Sequence, residues 1–282
     1  MSIIEAILLG IIQGLTEFLP ISSTGHLTLA GKFLGLIDES NPQEWTSFIA
    51  VIQIGTLISI LFYFRKDIYN IVTAFIRENL SKPFQYKAQT LDARLGWLVI
   101  IGTLPVVIIG LGFKDFIEGA FTKDLYVIGT SLIVLAIILA FAEKTAKFTK
   151  TLDKVGIKEA LIIGIAQAVA LIPGSSRSGT TITAGLFVGL TRETAARFSF
   201  LLSIPAIFAS GMLQFYQELE HINSDRALVL AVGTLVSAIS GYLAIDFLMK
   251  FLKKNSTFIF IWYRIIIGVI ILGLLFTNSI KP

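Results

Sequence analysis

Two short stretches of this sequence carry side chains that could handle a phosphate group, and each interrupts an otherwise apolar segment. Residues 13–26 read QGLTEFLPISSTGH, and residues 173–181 read PGSSRSGTT. The first stretch supplies a carboxylate, hydroxyls and an imidazole, and the second supplies a guanidinium with hydroxyls and glycines. Phosphoryl transfer needs groups of this kind, because its catalysis rests mainly on positioning and charge neutralisation. The two stretches therefore predict one shared site that holds or hydrolyses a phosphate.

Glu17 is the candidate acid or metal ligand of the first stretch. An ionisable side chain in an apolar membrane segment costs about 2.5 to 3.5 kcal/mol on insertion scales and usually marks a functional site. The alternative is a carboxylate near a helix end that reaches the membrane interface. Gln13 lies four residues earlier, on the same helical face. Their oxygen atoms could together hold a divalent cation, and Mg²⁺ would suit a site that also binds phosphate.

His26 is the candidate base of the first stretch and one of only two histidines in the chain. It follows the run Ser22, Ser23, Thr24 and Gly25 at the expected start of a helix. A neutral imidazole is available near pH 7 and could accept the proton of a nearby hydroxyl nucleophile. The alternative is a histidine that only caps the helix or fills a hydrogen-bonded space.

Arg177 is the informative residue of the second stretch, because a guanidinium at membrane depth requires an anionic partner. Its planar fork fits phosphate oxygens. A salt bridge to Glu17 is the structural alternative and does not exclude a functional role. Backbone N–H groups at the start of the following helix would add to an anion site. The small and hydroxyl residues expected to line that site are Gly174, Ser175, Ser176, Ser178, Gly179, Thr180 and Thr181.

The composition places both stretches in a polytopic α-helical membrane protein. Hydrophobic residues make up 55% of the chain and charged residues only 15%, against about 25% charged in soluble domains. Continuous apolar runs, rather than alternating ones, argue for helices and against a β-barrel. The net charge of +4 does not predict a nucleic-acid partner, since the positive residues lie between the apolar runs. The absence of cysteine excludes disulfides and thiolate metal sites.

The apolar pattern predicts six full spans and two broken segments within a single transmembrane domain, 1–282. The expected spans cover residues 45–64, 95–113, 125–142, 199–216, 227–249 and 258–276. The broken segments, near 3–37 and 157–190, each pass through Pro, Gly and Ser residues. Such breaks are tolerated at membrane depth only where protein or a cavity surrounds them.

An internal repeat relates the two broken segments. Shifting the chain by 154 residues aligns the 27 residues from Gly10 with those from Gly164, and ten are identical. Each half, 1–145 and 155–282, reads as a re-entrant broken helix followed by three spans. Loops 65–94 and 143–159 are basic, and a cytoplasmic position for both gives the halves opposite orientations. The fold expected is therefore two inverted-topology repeats whose re-entrant tips meet near the membrane midplane.

Both motifs resemble those of the undecaprenyl-diphosphatase family of bacterial inner-membrane enzymes, the bacitracin-resistance type. The glutamate-rich motif with its Ser-Ser-Thr-Gly-His run and the Pro-Gly-x-Ser-Arg-Ser-Gly motif are long and specific, and the likeness covers essentially the whole chain. The resemblance implies removal of the terminal phosphate from undecaprenyl diphosphate, which recycles the lipid carrier of cell-wall synthesis. It also implies a multi-pass location in the bacterial inner membrane and dependence on a divalent cation, Mg²⁺ or Ca²⁺.

The resemblance also implies residue roles: Glu17, Ser23, His26 and Arg177 would be catalytic, with the neighbouring hydroxyls and glycines in support. Many members have glutamate where this chain has Gln13, which leaves one acidic ligand here. Whether Ser23 or water attacks phosphorus stays open. Substrate lipid and membrane lipids are the expected partners. The oligomeric state is also open, and a homodimer is compatible with the sequence.

A transporter function and a different phosphatase mechanism are the alternatives to this function. Inverted repeats are also typical of alternating-access carriers, so a transporter or flippase of a phosphorylated lipid is the alternative function. Lipid-directed acid phosphatases use a second, nucleophilic histidine six residues after a Ser-Arg pair. Here that position is Thr183, so their mechanism is excluded.

Overall fold

The computed structural model describes residues 1–37, 42–81, 86–113, 124–218 and 224–280. These ranges form eleven α-helices and contain no β-strand. The helices are α1 (Ile3–Phe18), α2 (Ser23–Phe33), α3 (Pro42–Tyr63), α4 (Arg65–Ser81), α5 (Leu91–Gly112), α6 (Leu125–Thr145), α7 (Ile157–Val169), α8 (Arg177–Phe187), α9 (Arg192–Glu218), α10 (Ser224–Leu252) and α11 (Phe258–Phe276).

Six of these helices, α3, α5, α6, α9, α10 and α11, are long and apolar enough to cross a membrane. They coincide with the six predicted spans, so the all-α polytopic fold class is confirmed. Their outward faces stay apolar: on α11, Ile259, Trp262 and Ile266 are exposed, whereas Arg264 and Ile271 are buried. Exposed apolar stripes of this kind suit hydrocarbon rather than water.

Local sequence signals set several helix starts. Ser2 caps α1, and the Glu5 carboxylate accepts a hydrogen bond from the Ser2 backbone N–H in a capping box. Thr90 caps α5 through the amide of Ala93, and Asp124 caps α6. Each side chain satisfies backbone N–H groups that the helix itself leaves without a partner.

Helix α4 corrects one expectation, because the sequence predicted residues 65–94 as a basic loop. Residues Arg65–Ser81 are helical. One face of α4, with Ile71 and Ala74, is buried, and Gly96 of α5 approaches the ring of Phe75. The helix is amphipathic and too polar to span a membrane, so its sequence contains no long apolar run that would predict it.

The two predicted breaks are present between α1 and α2 and between α7 and α8. Each is made by a serine with positive φ: 76° at Ser22 and 67° at Ser176. Each serine also caps the helix that follows, through the amides of Gly25 and Gly179 respectively. Positive φ is uncommon for serine and marks a constrained backbone. The aligned positions of the two halves therefore adopt the same unusual turn.

Packing between the halves is reciprocal. Helix α1 packs on α10 of the second half, and α7 packs on α5 of the first. At the aligned Gly10 and Gly164, an added Cβ would collide with the carbonyl oxygens of Gly233 and Gly102 respectively. These exchanges agree with an internal repeat. The repeat boundaries and the opposite orientation of the halves in a membrane stay predictions.

The two short helices after the breaks differ in burial. Every residue of α8 from Ser178 to Leu186 is buried, so protein surrounds this non-spanning helix, as a break at membrane depth requires. Helix α2 is more open, and Thr24 at its start is exposed. The region where the breaks meet is therefore accessible from the α2 side.

Candidate active site

The carboxylate of Glu17 lies at the centre of the polar groups that the two breaks bring together. Its Oε1 pairs with the guanidinium of Arg177 and accepts a hydrogen bond of 3.0 Å from the Gln53 amide. Its Oε2 accepts hydrogen bonds from the Gln13 amide, at 3.1 Å, and from the Ser23 hydroxyl, at 2.7 Å. Glu17 is only 6% exposed, so these four donors stabilise a charge that is almost fully removed from water.

Two helix N-termini meet at this carboxylate. Ser23 is the first residue of α2 and Arg177 is the first residue of α8, and both contact Glu17. Helix N-termini carry partial positive charge and attract anions. The point between Ser23 and Arg177 is therefore a place where the fold favours negative charge from two directions.

His26 lies one turn into α2, and hydrogen bonds engage both of its ring nitrogens. Nδ1 lies 2.7 Å from the Ser22 carbonyl oxygen, and Nε2 lies 2.7 Å from the hydroxyl of Tyr263. No hydrogen bond joins His26 to Ser23 in the described ranges. The structure thus places Ser23 against Glu17 rather than against His26, and the base role of His26 stays a prediction.

Arg264 of α11 forms hydrogen bonds to both breaks, and its side chain is only 1% exposed. It forms no ion pair with any described residue, and its guanidinium donates only to backbone carbonyls. The acceptors are Pro20 in the first break, Gly174 and Ser175 in the second, and Ser131 and Leu132 of α6. Because one guanidinium donates to five carbonyls, it fixes the two turns relative to each other and to α6.

The hydroxyls predicted to support phosphate binding are largely engaged within the protein. Ser22 and Ser176 are the helix caps described above. Ser178 donates to the Leu19 carbonyl at 3.0 Å, which ties the second break to the first. Thr180 and Thr181 both donate to the Arg177 carbonyl. These contacts hold the backbone of the site, and direct binding of substrate by these hydroxyls stays a prediction.

The remaining predicted residues lie around the turns. Gly174 has a φ of 82° and faces the backbone of Ile128, and Gly25 faces the Ile128 side chain. A Cβ on Gly179 would meet the guanidinium of Arg264. Ser175 is fully buried, and its hydroxyl has no hydrogen-bond partner within the described ranges. The glycines thus allow close approach of the turns to α6 and Arg264.

The donor set around Glu17 fits a hard divalent cation that also binds phosphate oxygens. One carboxylate, two amides and one hydroxyl converge there, from Glu17, Gln13, Gln53 and Ser23. Mg²⁺ is commonly held by one or two carboxylates together with substrate phosphates. No cluster of three or more His, Cys, Asp or Glu residues occurs in the described ranges.

Sequence reasoning missed Gln53, Tyr263 and Arg264. Arg264 carried the same signal as Glu17, an ionisable residue in the middle of an apolar span, and that rule would have found it. Gln53 was a weaker signal, a single amide within a span. Tyr263 gave none, because tyrosines are common in membrane helices.

Comparison with known proteins finds a family and relatives that match nearly the whole chain. A family model described as "Bacitracin resistance protein BacA" matches residues 6–270. A protein of Syntrophobacter fumaroxidans named undecaprenyl-diphosphatase is 52% identical over 99% of this chain and 100% of its own length. Proteins with the same name from Chlorobium phaeovibrioides and Myxococcus xanthus are 49% and 50% identical, each over 100% of this chain, and over 100% and 92% of their own lengths. The chain therefore belongs to the bacitracin resistance protein BacA family.

Proposed function

We propose that this protein removes the terminal phosphate from undecaprenyl diphosphate in the bacterial inner membrane, which yields undecaprenyl phosphate. The relatives of about 50% identity carry the name of this activity. The observation that carries the proposal is the contact of Arg177 and Ser23 with one carboxylate, Glu17. This contact places a phosphate clamp (Arg177), a nucleophile (Ser23) and a proton acceptor (Glu17) next to one another.

The diphosphate would bind between the N-termini of α2 and α8. Within the described ranges, the backbone N–H groups of Ser23, Thr24, Arg177 and Ser178 have no protein acceptor, so they are available to phosphate oxygens. The diphosphate would compete with Glu17 for the guanidinium of Arg177, since both are anions. Binding would therefore loosen the Arg177–Glu17 pair and free one carboxylate oxygen.

Glu17 and His26 divide the proton transfers in this proposal. In the covalent route, the Ser23 oxygen attacks the terminal phosphorus and the bond to the bridging oxygen breaks, so undecaprenyl phosphate leaves. Glu17 takes the Ser23 proton, because it is the acceptor in contact with that hydroxyl. Water then attacks the phosphoserine and gives its proton to His26. The bond between phosphorus and the Ser23 oxygen breaks, Glu17 returns its proton to that oxygen, and inorganic phosphate leaves. In the direct route, water attacks phosphorus in a single step while the bond to the bridging oxygen breaks. Ser23 orients the water, and the water proton goes to His26.

A divalent cation, Mg²⁺ or Ca²⁺, would be held by Glu17 with the oxygens of Gln13, Gln53 and Ser23. It would neutralise charge on the diphosphate when bound. The amides of Gln13 and Gln53 now donate to Glu17, and their oxygens would face the cation after rotation of each amide group. Arg177 would remain the clamp on the phosphate that is removed.

The lipid tail would leave the site on the α2 side, where Thr24 is exposed, and lie among membrane lipids along the apolar faces of the spans. A homodimer would not block the exit of the lipid tail if its interface were formed by spans away from the α2 side. Cross-linking in native membranes would measure whether one forms.

Phosphate release from undecaprenyl diphosphate by the purified protein in detergent tests the function. Arg177→Ala and Glu17→Ala should abolish release, whereas Arg197→Ala, which removes an arginine from a surface ion pair with Asp67, should not. Near-wild-type release by either site variant, in protein that remains folded, would contradict the assignment.

The covalent and direct routes are separated by a second variant. Ser23→Ala should abolish release if Ser23 attacks phosphorus, and should leave a measurable rate if water attacks. Ser210→Ala is a matched control, because this serine donates only to the carbonyl of Ile207 in its own helix. Trapping of phosphoserine at Ser23 would establish the covalent route independently.

A transporter or flippase of a phosphorylated lipid is the second candidate. The reciprocal packing of α1 on α10 and α7 on α5 is compatible with it, because many carriers are built from internal repeats, whereas the names of the relatives do not support it. A carrier without hydrolase activity would move labelled lipid across liposomes and release no phosphate. The assay of phosphate release therefore separates the two functions.

A further inference from the structure

The ring of His26 is held at both nitrogens, by the first break on one side and by α11 on the other. The Ser22 carbonyl lies against Nδ1 and the Tyr263 hydroxyl lies against Nε2. We propose that Tyr263 is a positioning residue for the reaction: its hydroxyl donates to Nε2 of neutral His26, whose proton is on Nδ1, and fixes the Nε2 lone pair in place.

The tautomer follows from the chemistry of the two partners. A backbone carbonyl oxygen only accepts hydrogen bonds, so the nitrogen beside the Ser22 carbonyl must carry the proton. In a neutral imidazole the other nitrogen, Nε2, then carries the lone pair. Tyr263 has a hydroxyl that can donate, so the 2.7 Å contact is a bond from Tyr263 to Nε2. The partner of one ring nitrogen thus sets the role of the other.

The position of Tyr263 is fixed by its neighbour in the chain. Arg264 is buried and donates to carbonyls of Pro20, Gly174 and Ser175. These hydrogen bonds fix the position of α11 relative to both breaks, at the residue next to Tyr263. The rings of Tyr263 and His26 are nearly parallel, with an angle of 10° and centroids 5.5 Å apart. A tyrosine that merely packed on His26 would not need its hydroxyl directed at Nε2.

This arrangement has a consequence for proton transfer. Nδ1 already carries a proton, and the Nε2 lone pair already accepts the Tyr263 hydroxyl. A proton from water therefore reaches Nε2 through that hydroxyl: the Tyr263 oxygen accepts the water proton as the Tyr263 proton passes to Nε2. The water that attacks phosphorus must therefore lie beside the Tyr263 hydroxyl, which also keeps the ring from rotating. Tyr263 is 39% exposed, whereas Ser22 is buried, so Nε2 is on the less buried side of the ring. The kinetic part of this inference rests on the proposed function, and the structural part does not.

The structural part is tested by nuclear magnetic resonance of the full-length protein in nanodiscs, with ¹⁵N in the histidine rings. The chain has only two histidines, so a His221→Gln variant assigns the signals of His26. We expect a protonated Nδ1 and an unprotonated, hydrogen-bonded Nε2 at a pH above the titration of the ring. Tyr263→Phe should keep the ring contact and shift the Nε2 signal towards that of an imidazole without a hydrogen bond.

The kinetic part is tested with undecaprenyl diphosphate. Tyr263→Phe should lower kcat roughly tenfold with little change in KM, a smaller effect than the ~10²-fold or larger loss expected when a general base is removed. Tyr126→Phe is the matched control, because it removes a hydroxyl from an exposed tyrosine of α6. It should change neither kcat nor the His26 signals.

The outcomes separate this inference from the proposed function. A proton on Nε2 in the wild type, or an unchanged His26 spectrum in Tyr263→Phe, would overturn the positioning role. A shifted spectrum with unchanged kcat would overturn the contribution of Tyr263 to catalysis. A wild-type protein that releases no phosphate would overturn the proposed function, while the spectra would still decide whether Tyr263 donates to Nε2.

Discussion

Arg177 and Glu17 form a buried ion pair although 160 positions separate them in the chain. The pair joins the start of α8 in the second half to the end of α1 in the first. Because Ser23 donates to the other oxygen of the same carboxylate, Glu17 holds the first residues of both short helices. One carboxylate therefore organises the junction of the two breaks as well as its chemistry.

Removal of one partner of this pair should destabilise the protein more than removal of both. Arg177→Gln or Glu17→Gln alone should cost about 3 to 5 kcal/mol, because each leaves an uncompensated buried charge. The double variant should recover part of that loss. Thermal unfolding of the purified protein in detergent measures stability, and phosphate release should be absent in all three variants.

The exposed pair of Lys250 and Asp246, at 2.7 Å, is the control for this cycle. Asp246→Asn should change stability by about 0 to 1 kcal/mol, as exposed pairs usually do. Strictly additive losses in the Glu17 and Arg177 variants would contradict the coupling of these two residues.

Residue types and local breaks were predictable from the sequence, whereas several partners were not. The spans follow from continuous apolar runs, and the breaks follow from Pro, Gly and Ser in those runs. The Ser23–Glu17 contact joins residues six positions apart across a turn with positive φ at Ser22. Helical periodicity does not predict such a turn, so the expected partner of Ser23 was His26.

Contacts between distant segments were the least predictable. The Gln53 amide reaches Glu17 from α3, and the helix packing that brings it there is not encoded in local spacing. The Arg177–Glu17 pair was foreseeable as a structural alternative, because a buried guanidinium needs an anion. Helix α4 was missed for a different reason, since its stability depends on one apolar face rather than on a long apolar run.

Arg264 should be required for both the stability of the breaks and activity. Arg264→Met keeps a long apolar stem but leaves the five carbonyl acceptors without their donor, and each hydrogen bond from a charged group contributes about 1.5 to 3 kcal/mol. The contributions are not additive, so we expect a loss of at least about 3 kcal/mol. Thermal unfolding and phosphate release measure the two effects.

Arg264→Lys distinguishes charge from geometry. An ammonium keeps the charge but presents one compact donor centre instead of a planar fork, so it cannot reach Pro20, Gly174 and Ser131 together. We expect partial recovery of stability and little recovery of activity. Full activity of the lysine variant would show that the charge alone matters and that the turns need no common donor.

The helix contacts between the halves should depend on glycine. Gly10→Ala would place a Cβ 2.6 Å from the carbonyl oxygen of Gly233, and backbone atoms cannot yield as a flexible side chain can. Overpacking of this kind typically costs about 1 to 3 kcal/mol. Gly110→Ala on α5 is the control, because nothing lies within 4 Å of the added atom.

The control should be neutral or slightly stabilising, by up to about 1 kcal/mol, since alanine favours helix over glycine. Thermal unfolding in one detergent compares the two variants directly. If Gly10→Ala is as stable as Gly110→Ala, α1 and α10 are not in the close contact that the structure shows.

Because the site has a single acidic ligand, we expect it to need a higher cation concentration for activity than a site with two acidic ligands. A chelator in excess should stop phosphate release, and added Mg²⁺ or Ca²⁺ should restore it. Gln13→Glu places a second carboxylate one helical turn from Glu17, where Gln13 now donates to Glu17 at 3.1 Å. Because more ligand charge tightens cation binding, the half-saturating cation concentration should fall about tenfold. Gln13→Leu also removes the amide but adds no charge, so it should not lower that concentration. An unchanged cation requirement in Gln13→Glu would place the cation away from Glu17.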